Sequence, residues 1–328
     1  MQPSADKIFG VSGAADFENL ALEIFRFQAE GCPVYREYVS LLGIDPSAVD
    51  SIFSIPFMPI SFFRDHTVMS GGGTATKVFL SSGTTGMRQS MHFVRDTGIY
   101  DESLERTFRL FYGDPVHYSI TGLLPSYLER EGSSLIYMVN KLMQLSGNST
   151  GGFFLDNHGD LISAIEKARG AGLKVLLIGV TFALLDLAEK HPCDLSDVII
   201  METGGMKGRR REMIREEVHE ILKTAFGITA VHSEYGMTEL LSQAYSQGEG
   251  LFRIPPWMKV LIRDSHDPMS HTDDAGATGG ISIIDLANLW SCSFIATSDL
   301  GRMHQGGLFE VQGRFDEADI RGCNLLVS

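Results

Sequence analysis

Leu173-Lys174-Val175-Leu176-Leu177-Ile178-Gly179 leads through Val180-Thr181 into Phe182-Ala183-Leu184-Leu185-Asp186-Leu187-Ala188-Glu189-Lys190. The first part is a short, nearly unbroken run of branched apolar residues, which predicts a strand buried on both faces. The second predicts a helix. The same alternation extends outward in both directions: strand 118–124, helix 133–145, strand 152–155 and helix 160–171 before it, then strand 197–201, helix 209–226 and strand 228–232 after it. Further upstream, apolar residues recur at helical spacing over 16–30, and a short helix follows Pro33. An irregular stretch around Pro56 and Pro59 precedes strand 77–80 and helix 101–112. Short β units alternating with longer α units imply an α/β fold with a large, mostly parallel, helix-covered sheet. After about residue 250 the pattern becomes β-rich and punctuated by glycine, as in Gly279-Gly280-Ile281-Ser282-Ile283-Ile284. The expected organisation is an α/β core over 1–250, a smaller β-rich subdomain over 251–312 and a tail over 313–328.

Composition narrows the class of function. The 328 residues are 44% hydrophobic and 21% charged, as in an ordinary globular protein large enough for a full core. A formal net charge of -14 argues against nucleic acid or an anionic membrane as partner. Met1-Gln2-Pro3-Ser4-Ala5-Asp6-Lys7 lacks the apolar core of a signal peptide, and the longest apolar stretch, 173–188, is interrupted by Lys174 and Asp186 and too short to span a bilayer. Cys32, Cys193, Cys292 and Cys323 are scattered, with no C-x-x-C pair. That disfavours zinc and disulfides, so a cytoplasmic enzyme with reduced thiols is expected.

Four junctions carry chemistry-bearing residues. Strand 77–80 runs into Ser81-Ser82-Gly83-Thr84-Thr85-Gly86, with Arg88 just beyond. Glycine turns successive N–H groups toward one point and small hydroxyls add donors, which suits an anionic oxygen such as phosphate. No G-x-x-x-x-G-K-[ST] loop occurs in the chain. Glu202-Thr203-Gly204-Gly205 follows strand 197–201, and its glycines admit a flat ring close to the backbone. Ser233-Glu234-Tyr235-Gly236-Met237-Thr238-Glu239 follows strand 228–232: Tyr235 suits stacking on a base, and Glu239 suits magnesium, which takes carboxylate oxygens with waters and phosphates. Thr297-Ser298-Asp299-Leu300-Gly301-Arg302, followed by Gly313-Arg314-Phe315-Asp316, offers an acid for two ribose hydroxyls and an arginine for ribose or phosphate. Taken singly, each reads as well as a turn, a core edge or a local ion pair.

In this order and spacing the segments resemble the motifs of the adenylate-forming superfamily: acyl-CoA synthetases, luciferases and adenylation domains. The resemblance runs from about residue 75 to the end of the sequence. It implies ATP and Mg2+ as cofactors. Ser81, Ser82, Gly83, Thr84, Thr85 and Gly86 would form the phosphate loop, with Thr84, Thr85 and Gly86 on the β- and γ-phosphates. Gly205 and Tyr235 would frame adenine, with Gly204 and Gly236 also in the ATP site, Thr238 would contact the α-phosphate, Glu239 would bind the metal, and Asp299 and Arg314 would hold the ribose. The β-rich subdomain would thereby complete the nucleotide site. The implied reaction is attack of a carboxylate on the α-phosphorus, releasing pyrophosphate and leaving an acyl-adenylate.

One departure narrows the resemblance. Superfamily members continue past the hinge into a small domain that carries a lysine used in adenylation, whereas here twelve residues follow Asp316 and none is lysine. The expectation is therefore a fold lacking that small domain, as a fragment or as a short branch. Of the branches, Leu124 to Arg130, Gly179 to Leu185 and the ending resemble the long-chain acyl-protein synthetases of the bioluminescence fatty-acid reductase system. These pass the activated acyl group to a cysteine near their own C-terminus. Cys323 is the matching thiol, and neighbouring Arg321 would favour its thiolate. Gly179, Phe182 and His232 are the candidate acyl-pocket residues. The implied partners are a carboxylic (fatty) acid and an acyl-reductase or acyl-carrier protein. Rivals are an acyl- or aryl-CoA ligase of the phenylacetate type and a nucleotide-binding scaffold without chemistry. A serine hydrolase at Gly147-Asn148-Ser149-Thr150-Gly151 is disfavoured, because that motif needs a strand before it and a helix after it, and the order here is the reverse.

Overall fold

A computed structural model of the chain describes residues 3–82, 88–124, 132–204 and 213–315. These residues form two compact units. One draws on the segments through residue 75, 93–95 and those from 256 onward; the other draws on 76–92 and 96–255. The first 75 residues thus share a unit with the β-rich segments and not with the α/β alternation.

The first unit begins with α1 (Ala14–Gly31) and α2 (Pro33–Leu41), whose opening proline needs no N–H partner at the first helical turn. The buried face of α1 carries Phe17, Leu20, Ala21, Ile24, Phe25 and Gln28. Gln28 is fully enclosed, and its amide donates to the carbonyls of Asn288 and Leu289, both at 3.0 Å, while its oxygen accepts the Ser293 N–H at 2.9 Å. A short strand β1 (Met58–Pro59) and a single helical turn α3 (Phe62–Asp65) follow.

The second unit opens on a two-stranded ribbon, β2 (Lys77–Leu80) and β3 (Met91–Val94). Then come α4 (Thr97–Tyr112), β4 (Tyr118–Leu123), α5 (Ser134–Ser146), β5 (Gly152–Phe154) and α6 (His158–Gly170). They are followed by β6 (Lys174–Gly179), α7 (Thr181–Lys190), β7 (Val198–Glu202), α8 (Arg215–Phe226), β8 (His232–Tyr235), β9 (Ala244–Ser246) and β10 (Leu251–Phe252). The main sheet has the order β5-β4-β6-β7-β8-β9. Its first five strands are parallel and β9 is antiparallel to β8. Every residue of β4 is buried and β6 is exposed only at Lys174, as an apolar parallel strand covered on both faces requires.

Three expectations change. Strand 77–80 exists, but it belongs to the separate ribbon, so the Ser/Thr/Gly segment joins two ribbon strands instead of leaving the parallel sheet. The strand expected at 228–232 is instead His232–Tyr235. Ile228 and Val231 are apolar because they pack into the core, while the pairing itself runs through polar residues. The helix expected from Arg209 begins at Arg215, with Ile214 extended before it, and residues 209–212 lie outside the described residues. At Ser149 the order is helix then strand, with Gly147 ending α5 in the left-handed region (φ 66°). No nucleophile elbow forms there.

The remaining strands of the first unit are β11 (Met258–Arg263), β12 (His271–Thr272), β13 (Thr278–Asp285), β14 (Phe294–Met303) and β15 (Phe309–Arg314). They pair antiparallel in the order β15-β14-β13-β11-β12, and β1 joins β14 in parallel at Ile295 and Ala296. Gly301 on β14 is demanded by packing: a Cβ there would sit 2.6 Å from the Glu310 carbonyl oxygen and 2.6 Å from Ile281 Cδ1. Among the described residues no helix is long and apolar enough to cross a membrane.

Candidate functional site

The carboxyl ends of the parallel strands bring one row of residues into register: Leu123 beside Gly179, Gly179 beside Glu202, and Glu202 beside Ser233. Two backbone bonds extend the row beyond the strands. The Thr203 N–H donates to the Gly179 carbonyl at 3.1 Å, and the Thr181 N–H to the Gly204 carbonyl at 3.0 Å. Gly204 takes a φ of +73°, and the space where a Cβ would project is open. A flat ring can approach the backbone there, which fits the adenine role. Gly179 has a different reason to be glycine, since a Cβ would lie 2.7 Å from the Leu184 side chain.

Glu202 ties this corner together. Its Oε2 accepts the Gly204 N–H at 2.8 Å and the Thr181 hydroxyl at 3.1 Å. Its Oε1 faces Arg215 Nε at 3.5 Å and His219 Nε2 at 3.8 Å, both from α8. Burial pushes the carboxyl upward, but His219, Arg215, the Gly204 N–H and Ser233 together hold it down at about 2. Glu234, on the neighbouring strand, goes the other way: burial, then the charge of Glu202, push it up to about 8. One acid is ionised at neutral pH and the other holds its proton. Neither acid carries a role in the motifs, and the signal in the sequence is a carboxylate closing the apolar strand Val198–Glu202.

The Tyr235–Glu239 segment leaves β8 as a turn. Tyr235 is buried, its ring 5.8 Å from that of Phe252, and Glu239 is buried as well. Gly236 leaves room for the Glu234 carboxyl, which any Cβ at this position would strike. His92, on β3, meets the Thr238 carbonyl through Nδ1 at 2.9 Å, and burial lowers its pKa to about 4. Flanking the Ser/Thr/Gly segment, the Ser81 N–H donates to the Ser90 carbonyl at 3.0 Å and the Ser90 N–H to the Ser81 hydroxyl at 2.8 Å. Ser82 and Arg88 are exposed. Of the acyl-pocket candidates, His232 Nδ1 lies 3.1 Å from the Tyr112 hydroxyl, and burial lowers its pKa. Phe182 is half-buried in the first turn of α7.

In the first unit, Asp299 and Arg314 are register partners across β14 and β15, and Arg314 Nε donates to Asp299 Oδ1 at 3.0 Å. The acid is buried and the guanidinium is mostly in solvent. That donor set fits a sugar edge, with a carboxylate to accept from hydroxyls and an arginine beside it. Gly83, Thr84, Thr85, Gly86, Gly205 and Cys323 lie outside the described residues. Among the described residues no group of three or more His, Cys, Asp or Glu is placed to hold a metal ion. A single buried carboxylate at Glu239 suits an ion that arrives with phosphates and waters, as magnesium does.

No known family's sequence profile matches the chain, and no curated protein matches it. Solved structures match its fold. MatB from Rhodopseudomonas palustris, with ATP bound, aligns at a TM-score of 0.53 and 16% identity over 74% of this chain and 49% of that one. A long-chain-fatty-acid-CoA ligase from Archaeoglobus fulgidus aligns at 0.53 and 15%, over 76% and 53%. An O-succinylbenzoate coenzyme A synthetase from Bacillus subtilis, in complex with ATP and a magnesium ion, aligns at 0.51 and 15%, over 75% and 51%. The chain spans about half the length of these structures. At such identities the likeness defines the fold alone: it is the mixed α/β fold these structures share.

Proposed function

We propose that this chain binds ATP with magnesium and activates a carboxylic acid as its acyl-adenylate, then passes the acyl group to a thiol. The observation that carries the reading is the Tyr235–Glu239 turn at the end of a parallel strand, with Glu239 buried and Thr238 anchored, on a fold shared with ATP-bound ligases. The substrate carboxylate attacks the α-phosphorus, the bond from that phosphorus to the bridging oxygen breaks, and pyrophosphate leaves. A thiolate then attacks the acyl carbonyl, AMP departs and a thioester forms. Magnesium bound at Glu239 would neutralise phosphate charge. Thr238 would orient the α-phosphate, and Gly204, held by Glu202, would seat the base. Positioning and charge neutralisation supply most of the catalysis in such phosphorus chemistry.

The finer reading is an acyl-protein synthetase that acts on a fatty acid, with Cys323 as the acceptor thiol and an acyl-reductase or acyl-carrier protein downstream. The fatty-acid-CoA ligase and the coenzyme A synthetase of similar fold make coenzyme A the alternative acceptor. Incubation with ATP and mixed fatty and aromatic acids, followed by intact-mass measurement and a pyrophosphate-exchange assay, tests both. Acid-dependent exchange is expected, and it should vanish in Glu239→Gln. Full exchange in that variant refutes the metal role, and acyl mass persisting on Cys323→Ser refutes the acceptor thiol.

A further inference from the structure

His92 lies on β3, the strand that follows residues 81–90 in sequence, and it has no solvent exposure. Its Nδ1 is 2.9 Å from the carbonyl oxygen of Thr238, a residue 146 positions away in sequence. A carbonyl oxygen only accepts, so the proton must sit on Nδ1. The bond therefore joins the strand behind the candidate phosphate loop to the segment read as contacting the α-phosphate and the metal. A carbonyl held in place fixes the plane of the Thr238–Glu239 peptide. Both flanking Cα atoms lie in that plane, so the points from which the Thr238 hydroxyl and the Glu239 carboxylate project are fixed with it.

We infer that His92 is a positioning residue: its Nδ1–H holds the Thr238 carbonyl and thereby sets the directions of the Thr238 hydroxyl and the Glu239 carboxylate. The role rests on the nucleotide reading of this segment. It uses a fully buried side chain in a strand (Met91-His92-Phe93-Val94) whose sequence otherwise reads as plain β-structure.

The test has two independent readouts. Nitrogen-15 NMR of the unliganded protein should show the His92 proton on Nδ1; a neutral ring protonated on Nε2 overturns the inference. Calorimetric titration with ATP, with and without magnesium, is then run on variants whose melting curves show folding. Asparagine carries an amide N–H where Nδ1–H stood, whereas the longer glutamine places its amide near Nε2. His92→Asn is expected to keep magnesium-dependent ATP affinity within about threefold, while His92→Gln and His92→Ala lose about tenfold or more. Wild-type affinity in all three variants overturns the positioning role. Wild-type protein that binds no ATP, with the proton nevertheless on Nδ1, refutes the nucleotide reading and takes the positioning role with it.

Discussion

Replacing Glu202 by glutamine isolates the charge that the strand-end corner is built around. The carboxyl titrates near 2 in the folded chain instead of at 4.5. That difference corresponds to about 3 kcal/mol of stability at neutral pH. The sign follows from the direction: the folded value lies below the unfolded one, so the contribution is complete above about pH 4.5 and drains away as pH falls toward about 2. Glutamine keeps the length of the side chain and one oxygen for the Gly204 N–H and the Thr181 hydroxyl. It also turns an amide NH2 toward Arg215 and His219, donors meeting donors, and removes the only negative charge among these contacts. The expected cost at pH 7 is about 2–3 kcal/mol, near the low end for breaking a buried charge pair because shape is preserved. Urea unfolding of both proteins at pH 7 and pH 3 measures it. The gap should shrink to about 1 kcal/mol at the lower pH, where the carboxyl of the unfolded wild-type chain is protonated while the folded one is still mostly ionised. A gap that stays constant across this range, or none at pH 7, refutes the account of Glu202 as an ionised hub.

Glu234 should behave in the opposite sense. Its folded value lies well above 4.5, so stability is lost as pH rises from there through about 8. Glu234→Gln should melt close to wild type at pH 5 and higher than wild type at pH 8.5; a lower melting temperature at pH 8.5 contradicts the buried, protonated acid. Asp299→Asn should change stability by less than about 1 kcal/mol, because its partner Arg314 is mostly solvated. It should weaken ATP binding by roughly tenfold to a hundredfold, since charged hydrogen bonds to hydroxyls are lost; unchanged calorimetric affinity removes Asp299 from the ribose role. Gly301→Ala should cost about 1–3 kcal/mol, because a methyl group facing the Glu310 carbonyl must push β14 and β15 apart. A melting temperature equal to wild type shows that the strands yield freely.

The contrast between Gly301 and Glu202 shows where sequence reading reaches its limit. Elements whose evidence is local were legible: β6 announces itself as a branched apolar run, and the helices by their periodicity. β8 was misplaced because His232-Ser233-Glu234-Tyr235 is polar, and its strand character exists only through pairing with Met201 and Glu202. The membership of the first 75 residues was hidden for a related reason, since Gln28 meets partners at Asn288, Leu289 and Ser293, more than 250 positions away. Within the candidate site, short motifs pointed to the residues proposed to face a ligand, because ligand contact constrains neighbouring positions together. Gly301, inside the Asp299–Arg302 motif, is fixed by its contact with β15 and Ile281, a packing constraint the motif itself does not express. What motifs did not reveal are the residues that hold other residues. Glu202 acts on Gly204 and Thr181, and His92 acts on Thr238 from across the unit. Each is one polar side chain in an otherwise apolar strand, a position where burial without a partner would be costly. A lone buried His or Glu at such a position is thus a signal that a distant backbone group needs fixing, and the chemistry it serves is found by following its hydrogen bond.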